Sequence, residues 1–213
     1  YTGEDTLSLH DALPICKRGA VHRSVKSYNN HTGVPLSLSR MAAGSAFGVF
    51  EMGMNHAGEL AALTRLVRPH VAVITAIAPA HIEFFDSIEG IADAKGEIFQ
   101  GLEPGGTAVI PFDSPHRDRL IGHAKPYAAN ILTFGSGEGA DVRALDAIPS
   151  ANGTMVTARL PARAGKAPGL PSPLSPWHCA QCWPYSRPPT LPRDAGRGSA
   201  DGAAGAVCGS ALR

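Results

Sequence analysis

Between about residues 17 and 163, short uninterrupted apolar runs alternate with segments whose apolar residues recur every three or four positions. Phe47–Gly53 (FGVFEMG) and His70–Ala78 (HVAVITAIA) are rich in Val, Ile and Phe, which predicts strands buried on both faces. Between them, Leu60, Leu63, Leu66 and Val67 stand at helical spacing within Ala57–Val67, and Arg68-Pro69 stops the helix. A second helix is predicted over Ile88–Leu102, ended by Pro104-Gly105-Gly106. A strand at Thr107–Phe112, a helical segment near Pro115–Ala128 and a strand at Asn130–Phe134 follow. Val142–Ile148 and Thr154–Leu160 read as further strands, paired as a hairpin around Asn152-Gly153. The alternation predicts an α/β fold, a mostly parallel sheet flanked by helices. Ligands of such sheets sit beyond the carboxyl ends of the strands.

Outside that span the pattern fails. Residues 1–16 have no periodicity, and Thr6–Ile15 (TLSLHDALPI) coincides with the translation of a common short-read sequencing adapter. That segment reads as foreign text, with Cys16 as the junction. From residue 164 to 213 the chain turns to Pro, Gly, Ser and Arg and holds both tryptophans and three of the four cysteines, the composition of a disordered tail. Reading the codons of Gln181–Ser186 in a shifted frame gives, through Leu191, the helix-forming string VLAVLAAADA. A frameshift between about Ala164 and Trp177 is therefore expected. It makes the spacing of Cys179 and Cys182 accidental rather than half of a zinc site.

A formal charge of +1 with 17% charged residues argues against a basic nucleic-acid footprint. No apolar stretch approaches the roughly 20 residues of a membrane span. Without a signal-peptide pattern, a cytoplasmic monomer is the expectation.

Against the apolar pattern, a few polar residues stand out. Glu51 interrupts a buried run, and an acid there is costly unless its charge is offset, a bound metal being one way. It falls near the end of its strand, with Asn55 and His56 in the following turn; His81 and Glu83 lie in the loop after the next strand. If the two loops face one cleft, Glu51, His81 and Glu83 offer oxygen and imidazole ligands suited to magnesium beside phosphates. Local capping is the plainer reading of the loop polars. Lys95 shares a helix face with Ile91 and Ile98, so it either snorkels from the edge of the apolar stripe or points inward with a depressed pKa. Ser27–Pro35 (SYNNHTGVP) is a polar loop entering a helix near Pro35. It suits αL turns and equally a nucleotide or sugar.

Four blocks, VKSYNNHTGVPLSLSRM, FGVFEMGMNHAGELAAL, APAHIEFF and AKGEIFQGL, resemble successive motifs of the ATP-dependent Mur ligases over about residues 18–160. The particular resemblance is to the branch that adds D-Ala-D-Ala to UDP-MurNAc-tripeptide. It implies the central domain of that family, a P-loop-type α/β fold, and a defined reaction. ATP phosphorylates the tripeptide carboxylate, and the amine of D-Ala-D-Ala attacks the acyl phosphate to form an amide. By resemblance, Glu51 would hold magnesium between ATP phosphates, and His81 would serve a second magnesium near the acyl phosphate. Lys95 matches a lysine often carbamoylated in the family. Asn29, Asn30 and Thr32 would line the nucleotide and substrate side, and Asn55 and His56 the strand-end side.

The sequence departs from the family at the phosphates. It contains no G-x-x-G-K-[ST] loop; Gly135-Ser136-Gly137-Glu138-Gly139 has the glycines without the lysine and follows a different strand. The expectation is a ligase fragment, residues 17–163 of a central domain, inactive as written. The alternative is a non-catalytic binding module derived from the same domain.

Overall fold

A computed structural model describes residues 19–24, 28–79, 84–150, 153–161 and 206–211. In chain order the elements are β1 (Val21–Arg23), α1 (Gly33–Ser39), β2 (Phe47–Met52), α2 (Glu59–Val67), β3 (Val71–Ile74) and α3 (Ile88–Gly96). A 3-10 turn (Glu97–Gly101) follows, then β4 (Thr107–Pro111), α4 (Arg117–Ala124), β5 (Asn130–Gly135), β6 (Val142–Ser150), β7 (Gly153–Arg159) and β8 (Ala206–Ala211). They build one sheet in the order β1-β2-β8-β3-β4-β5-β6-β7. The pairs β1–β2, β3–β4, β4–β5 and β5–β6 are parallel, and β6–β7 is the antiparallel hairpin read from the sequence. The predicted α/β class, a mostly parallel sheet with flanking helices, is what forms.

From β1 to β5 the chain steps across the sheet in one direction. A right-handed crossover made repeatedly in one direction lands each time on the same side. All four helices accordingly share one core with alternate strand residues: Phe50 and Met52 of β2, Ala72 and Ile74 of β3, and Ala108 and Ile110 of β4 meet Leu60, Leu63, Ile91, Phe99 and Leu120. The opposite face of β3 and β4, carrying Val71, Val73, Thr107 and Val109, is only half-buried. The sequence predicted strands buried on both faces; β2 is so buried, Val49 and Glu51 as well as Phe50 and Met52, whereas helices cover one face of β3 and β4 among the described residues.

Local chemistry sets the element ends. Ser87 caps α3, its hydroxyl accepting from Gly90 N at 3.1 Å. The helix predicted to run through Leu102 tightens at Glu97 into the 3-10 turn. There Gly101 lies against the Thr64 backbone too closely for a β-carbon. Helix α2 ends at Arg68, which adopts φ 52° just before Pro69, the proline disfavouring helical backbone at the residue before it.

Two strands were not read from the sequence. β1 is only three residues long. β8 belongs to the segment read as a disordered tail, yet it pairs antiparallel with both β2 and β3. Ala206–Ala211 (AVCGSA) is short and apolar enough to enter a sheet, a signal masked by the composition around it. The adapter-like segment and the Cys179/Cys182 pair lie outside the described residues.

Candidate active site at the carboxyl edge of the sheet

Glu51 is the penultimate residue of β2 and 5% exposed. Side chains alternate along a strand, so it points away from the helix-covered side occupied by Phe50 and Met52. Burial pushes its carboxyl pKa up, and one hydrogen bond from Asn29 pulls partly against that. Asn29 Nδ2 donates to Glu51 Oε1 at 3.0 Å, while the Asn29 carbonyl accepts from Gly53 N at 2.8 Å. A β-carbon at Gly53 would stand 2.9 Å from the Asn29 amide, so the glycine lets the loop after β1 close over the end of β2. The sequence marked both residues; the structure joins them directly.

Lys95 is 6% exposed. It points inward, settling the alternative left open by the helix pattern. Its Nζ donates to the carbonyl of Ala76 at 2.7 Å, two residues beyond β3. Burial lowers its pKa to about 8, and among the described residues no carboxylate is paired with it. Glu51 and Val73 both lie in register with Val207 of β8. Glu51 and Val73 therefore stand about 10 Å apart at ordinary strand spacing, one strand between them, and the carbonyl that anchors Lys95 follows three residues beyond Val73.

The loop after β2 is built by two acids. Glu59 Oε2 accepts from the backbone N–H of Asn55 at 2.7 Å and of His56 at 3.3 Å. These bonds, the Asn55 amide foremost, hold its carboxyl below the usual range. The His56 ring leans on Phe84 at 5.2 Å between centroids. Glu97, two residues past Lys95, reaches across from the 3-10 turn. Its oxygens accept from Gly58 N at 2.7 and 2.9 Å and from Ala61 N at 3.3 Å. The sequence reading singled out neither Glu59 nor Glu97, although both stand inside its motif blocks; the signal was an acid placed at a helix start.

Other expected site residues are engaged locally. Asn30 Oδ1 accepts from Thr32 N at 3.1 Å and Gly33 N at 2.8 Å, shaping the entry to α1, where Thr32 is the N-terminal cap without a side-chain bond. Asn55, His56 and Thr32 are exposed. His81 and Glu83 lie outside the described residues. Among the described residues no group of three or more His, Cys, Asp or Glu could hold a metal ion. The part of the site described here thus offers a cation one carboxylate, Glu51. That fits magnesium, which commonly takes one or two carboxylates and leaves its remaining positions to water and substrate phosphates.

The glycine-rich Gly135–Gly139 loop is no phosphate cradle. Asp113 already occupies its amides, accepting from Ser136 N at 2.6 Å, Ser136 Oγ at 2.9 Å and Gly137 N at 3.0 Å. Burial alone would raise the Asp113 carboxyl, but these donors bring it below its ordinary range.

These features define a predominantly parallel α/β domain with a buried acid and a buried lysine at the carboxyl edge of adjacent parts of its sheet. The sequence profile of the Mur ligase middle domain matches residues 7–174, and the chain belongs to that family. Among its relatives is the UDP-N-acetylmuramoyl-tripeptide–D-alanyl-D-alanine ligase of Haemophilus influenzae, 46% identical over 105 residues, covering 47% of this chain and 23% of the relative. The Bacillus subtilis ligase of the same name is 38% identical over 137 residues, covering 64% of this chain and 29% of the relative. In three dimensions the chain resembles MurF from Acinetobacter baumannii, with a TM-score of 0.68 and 29% identity over 75% of this chain and 34% of that one. MurF from Thermotoga maritima in complex with ADP gives 0.63 and 28% over 75% and 36%. The chain thus spans roughly a quarter to a third of the proteins it matches. Among the described residues no helix is long and apolar enough to cross a membrane.

Proposed function

We propose that this chain is the central-domain portion of a cytoplasmic ligase that joins D-Ala-D-Ala to UDP-MurNAc-tripeptide at the expense of ATP, in peptidoglycan precursor synthesis. The observation that carries the reading is the buried Glu51 held by Asn29 at the carboxyl end of β2, with the buried Lys95 anchored just beyond the carboxyl end of β3. Among the described residues no cation is paired with that carboxylate, which leaves it poised for a metal. Magnesium bound there would neutralise phosphate charge, the main requirement of phosphoryl transfer. Asn29 fixes the orientation of the Glu51 carboxylate, and the clamps by Glu59 and Glu97 fix the neighbouring loop, so that Asn55 and His56 stand at the mouth of the site.

Lys95 supplies a second device. At a pKa of about 8 roughly half of its amines are neutral at pH 8, against well under 1% for an ordinary lysine. Only the neutral amine adds carbon dioxide. The carbamate so formed would be a second anionic ligand for the cation, with His81 and Glu83 as further ligands.

The chain as given contains no phosphate loop, so it is expected to bind magnesium–ADP weakly and to turn nothing over. Calorimetric titration with magnesium–ADP, repeated with EDTA and with Glu51→Gln, tests the first statement: a magnesium-dependent heat lost in the variant supports the site, and equal heats in all three refute it. Phosphate release from ATP that depends on both UDP-MurNAc-tripeptide and D-Ala-D-Ala would overturn the second.

A further inference from the structure

We propose that His123 of α4 is a positioning residue for Lys95: lodged on Gly96 and held by Asp93, its ring sets the last turn of α3 and so the approach of the lysine to the carbonyl of Ala76. What Lys95 then does rests on the ligase reading; the packing does not.

The stretch from Asp93 to Glu97, where α3 tightens into the 3-10 turn, sends side chains to three different elements. Lys95 Nζ reaches the Ala76 carbonyl beyond β3 at 2.7 Å, Glu97 reaches the amides of Gly58 and Ala61 at the start of α2, and Asp93 faces α4. On α4, Arg119 and His123 stand four residues apart, on one helix face, and both converge on Asp93. Arg119 donates to the two Asp93 oxygens at 2.9 and 3.0 Å, and His123 Nε2 lies 2.9 Å from Oδ1. All three side chains are partly exposed, so charge alone holds the turn weakly.

The ring supplies the rest. Gly96 is buried, and a β-carbon on it would stand 2.6 Å from His123 Cγ and 2.9 Å from His123 Cβ and Cδ2. The imidazole therefore rests on the bare backbone of the residue that follows Lys95. Gly96 has φ −60°, which alanine adopts freely, so closeness and not backbone conformation calls for glycine there. Asp93 and Gly96, three residues apart, present one face of the turn to α4. Lys95, one step round the helix, is thereby turned toward the end of β3. Its nitrogen stands well out from the helix axis, so a small rotation of this turn carries it out of hydrogen-bond range of Ala76. A mere brace between α3 and α4 would spread its loss through the domain; a positioning residue concentrates the loss at Lys95.

The test reads Lys95 itself in the full chain, labelled with nitrogen-15 at lysine and held at pH 6, below its pKa of about 8, where the amine carries its proton. An ammonium buried against a carbonyl exchanges its protons slowly, and Lys95→Met identifies the signal by removing it. His123→Ala is expected to speed that exchange by about tenfold or more, while the amides of Val109 and Leu132 in β4 and β5 keep their protection. Adding Gly96→Ala puts a methyl where the ring lay and should return Lys95 to within about threefold of the parent, although Gly96→Ala alone, clashing with the ring, should speed exchange; such reversal marks direct coupling. Unchanged Lys95 exchange in His123→Ala overturns the proposal, as does acceleration that Gly96→Ala fails to reverse. Acceleration shared equally by Val109 and Leu132 also overturns it, since the ring would then support the whole domain. Those three results leave Lys95 buried as described; a parent chain without a protected Lys95 signal overturns that burial, and the positioning role with it.

Discussion

Lys95 offers the sharpest test of how the site is built. Its amine is buried with one carbonyl acceptor, Ala76 O at 2.7 Å, and its pKa falls from 10.5 to about 8. The difference corresponds to about 3 kcal/mol of penalty for holding the charged form in the folded state. The sign follows from proton counts. Between pH 8 and 10.5 the unfolded chain binds the proton and the folded chain has released it, so stability rises with pH across that window. Below pH 8 both states carry the charge and the full penalty applies. Above 10.5 neither does, and the penalty is gone. Replacing the amine by an apolar chain of similar length, Lys95→Met, removes the titration and leaves the Ala76 carbonyl without this donor, a loss of about 1 kcal/mol. The variant should therefore be more stable than the parent by up to about 2 kcal/mol at pH 7, and less stable at pH 10.5.

Urea unfolding followed by circular dichroism at pH steps from 6.5 to 10.5 measures this directly. Carbon dioxide must be excluded, since a carbamate would restore a charge of the opposite sign. A parent chain whose Lys95-dependent stability, taken as the difference from Lys95→Met, stays flat between pH 8 and 10.5 refutes the reasoning. In that case the ammonium is solvated and the site cannot favour addition of carbon dioxide to the amine.

Glu51→Gln keeps an oxygen for Asn29 and removes a buried charge. Because burial raises the Glu51 carboxyl pKa, its charge opposes folding above that pKa and not below the ordinary carboxylate range. The variant should melt higher than the parent at pH 7 and equally at pH 4, by calorimetry. Asn29→Ala leaves the buried carboxylate without this donor, so stability at pH 7 should drop by about 1–3 kcal/mol and the Glu51 carboxyl should titrate still higher by carbon-detected NMR; an unchanged titration would count against the pairing. Glu97→Ala strands the amides of Gly58 and Ala61 and should accelerate their hydrogen exchange at least tenfold, leaving β4 and β5 amides as they were. Gly101→Ala drives a methyl into the Thr64 backbone and should cost about 1–3 kcal/mol in urea unfolding.

Much of this was legible because the signals are local. The runs at Phe47, Val71, Thr107 and Asn130 and the helical spacing at Leu60 and Ile91 each lie within a dozen residues. The same holds for a charged residue set in such a pattern: Glu51 could be marked as buried before any partner was known, and Lys95 narrowed to a choice between snorkelling and pointing inward. Their partners could not. Asn29 bonds an acid 22 residues away, and Glu97 bonds Gly58 across 39 residues, separations that only the closed sheet brings together. Burial on one side also escaped the sequence, since Val71 and Ala72 look alike in an apolar run. The direction in which successive crossovers travel decides which of them a helix covers.

The same geometry explains why the site is divided as it is. Every crossover from β1 to β5 moves one way except in skipping a position between β2 and β3, so that gap interrupts the neighbour relation exactly once among the parallel strands. Glu51 stands next to the end of the strand on one side of the gap, and the carbonyl that anchors Lys95 follows the strand on the other. A strand lying parallel in the gap would bring its own carboxyl end, and the loop beyond it, between the two. β8 lies the other way and brings its amino end, Ala206. The acid and the lysine are thus positioned by the frame of the sheet, whereas what stands between them depends on the strand that fills the gap. Binding measured at Glu51 should accordingly respond to substitutions in residues 206–211 even though none of them belongs to the motif blocks.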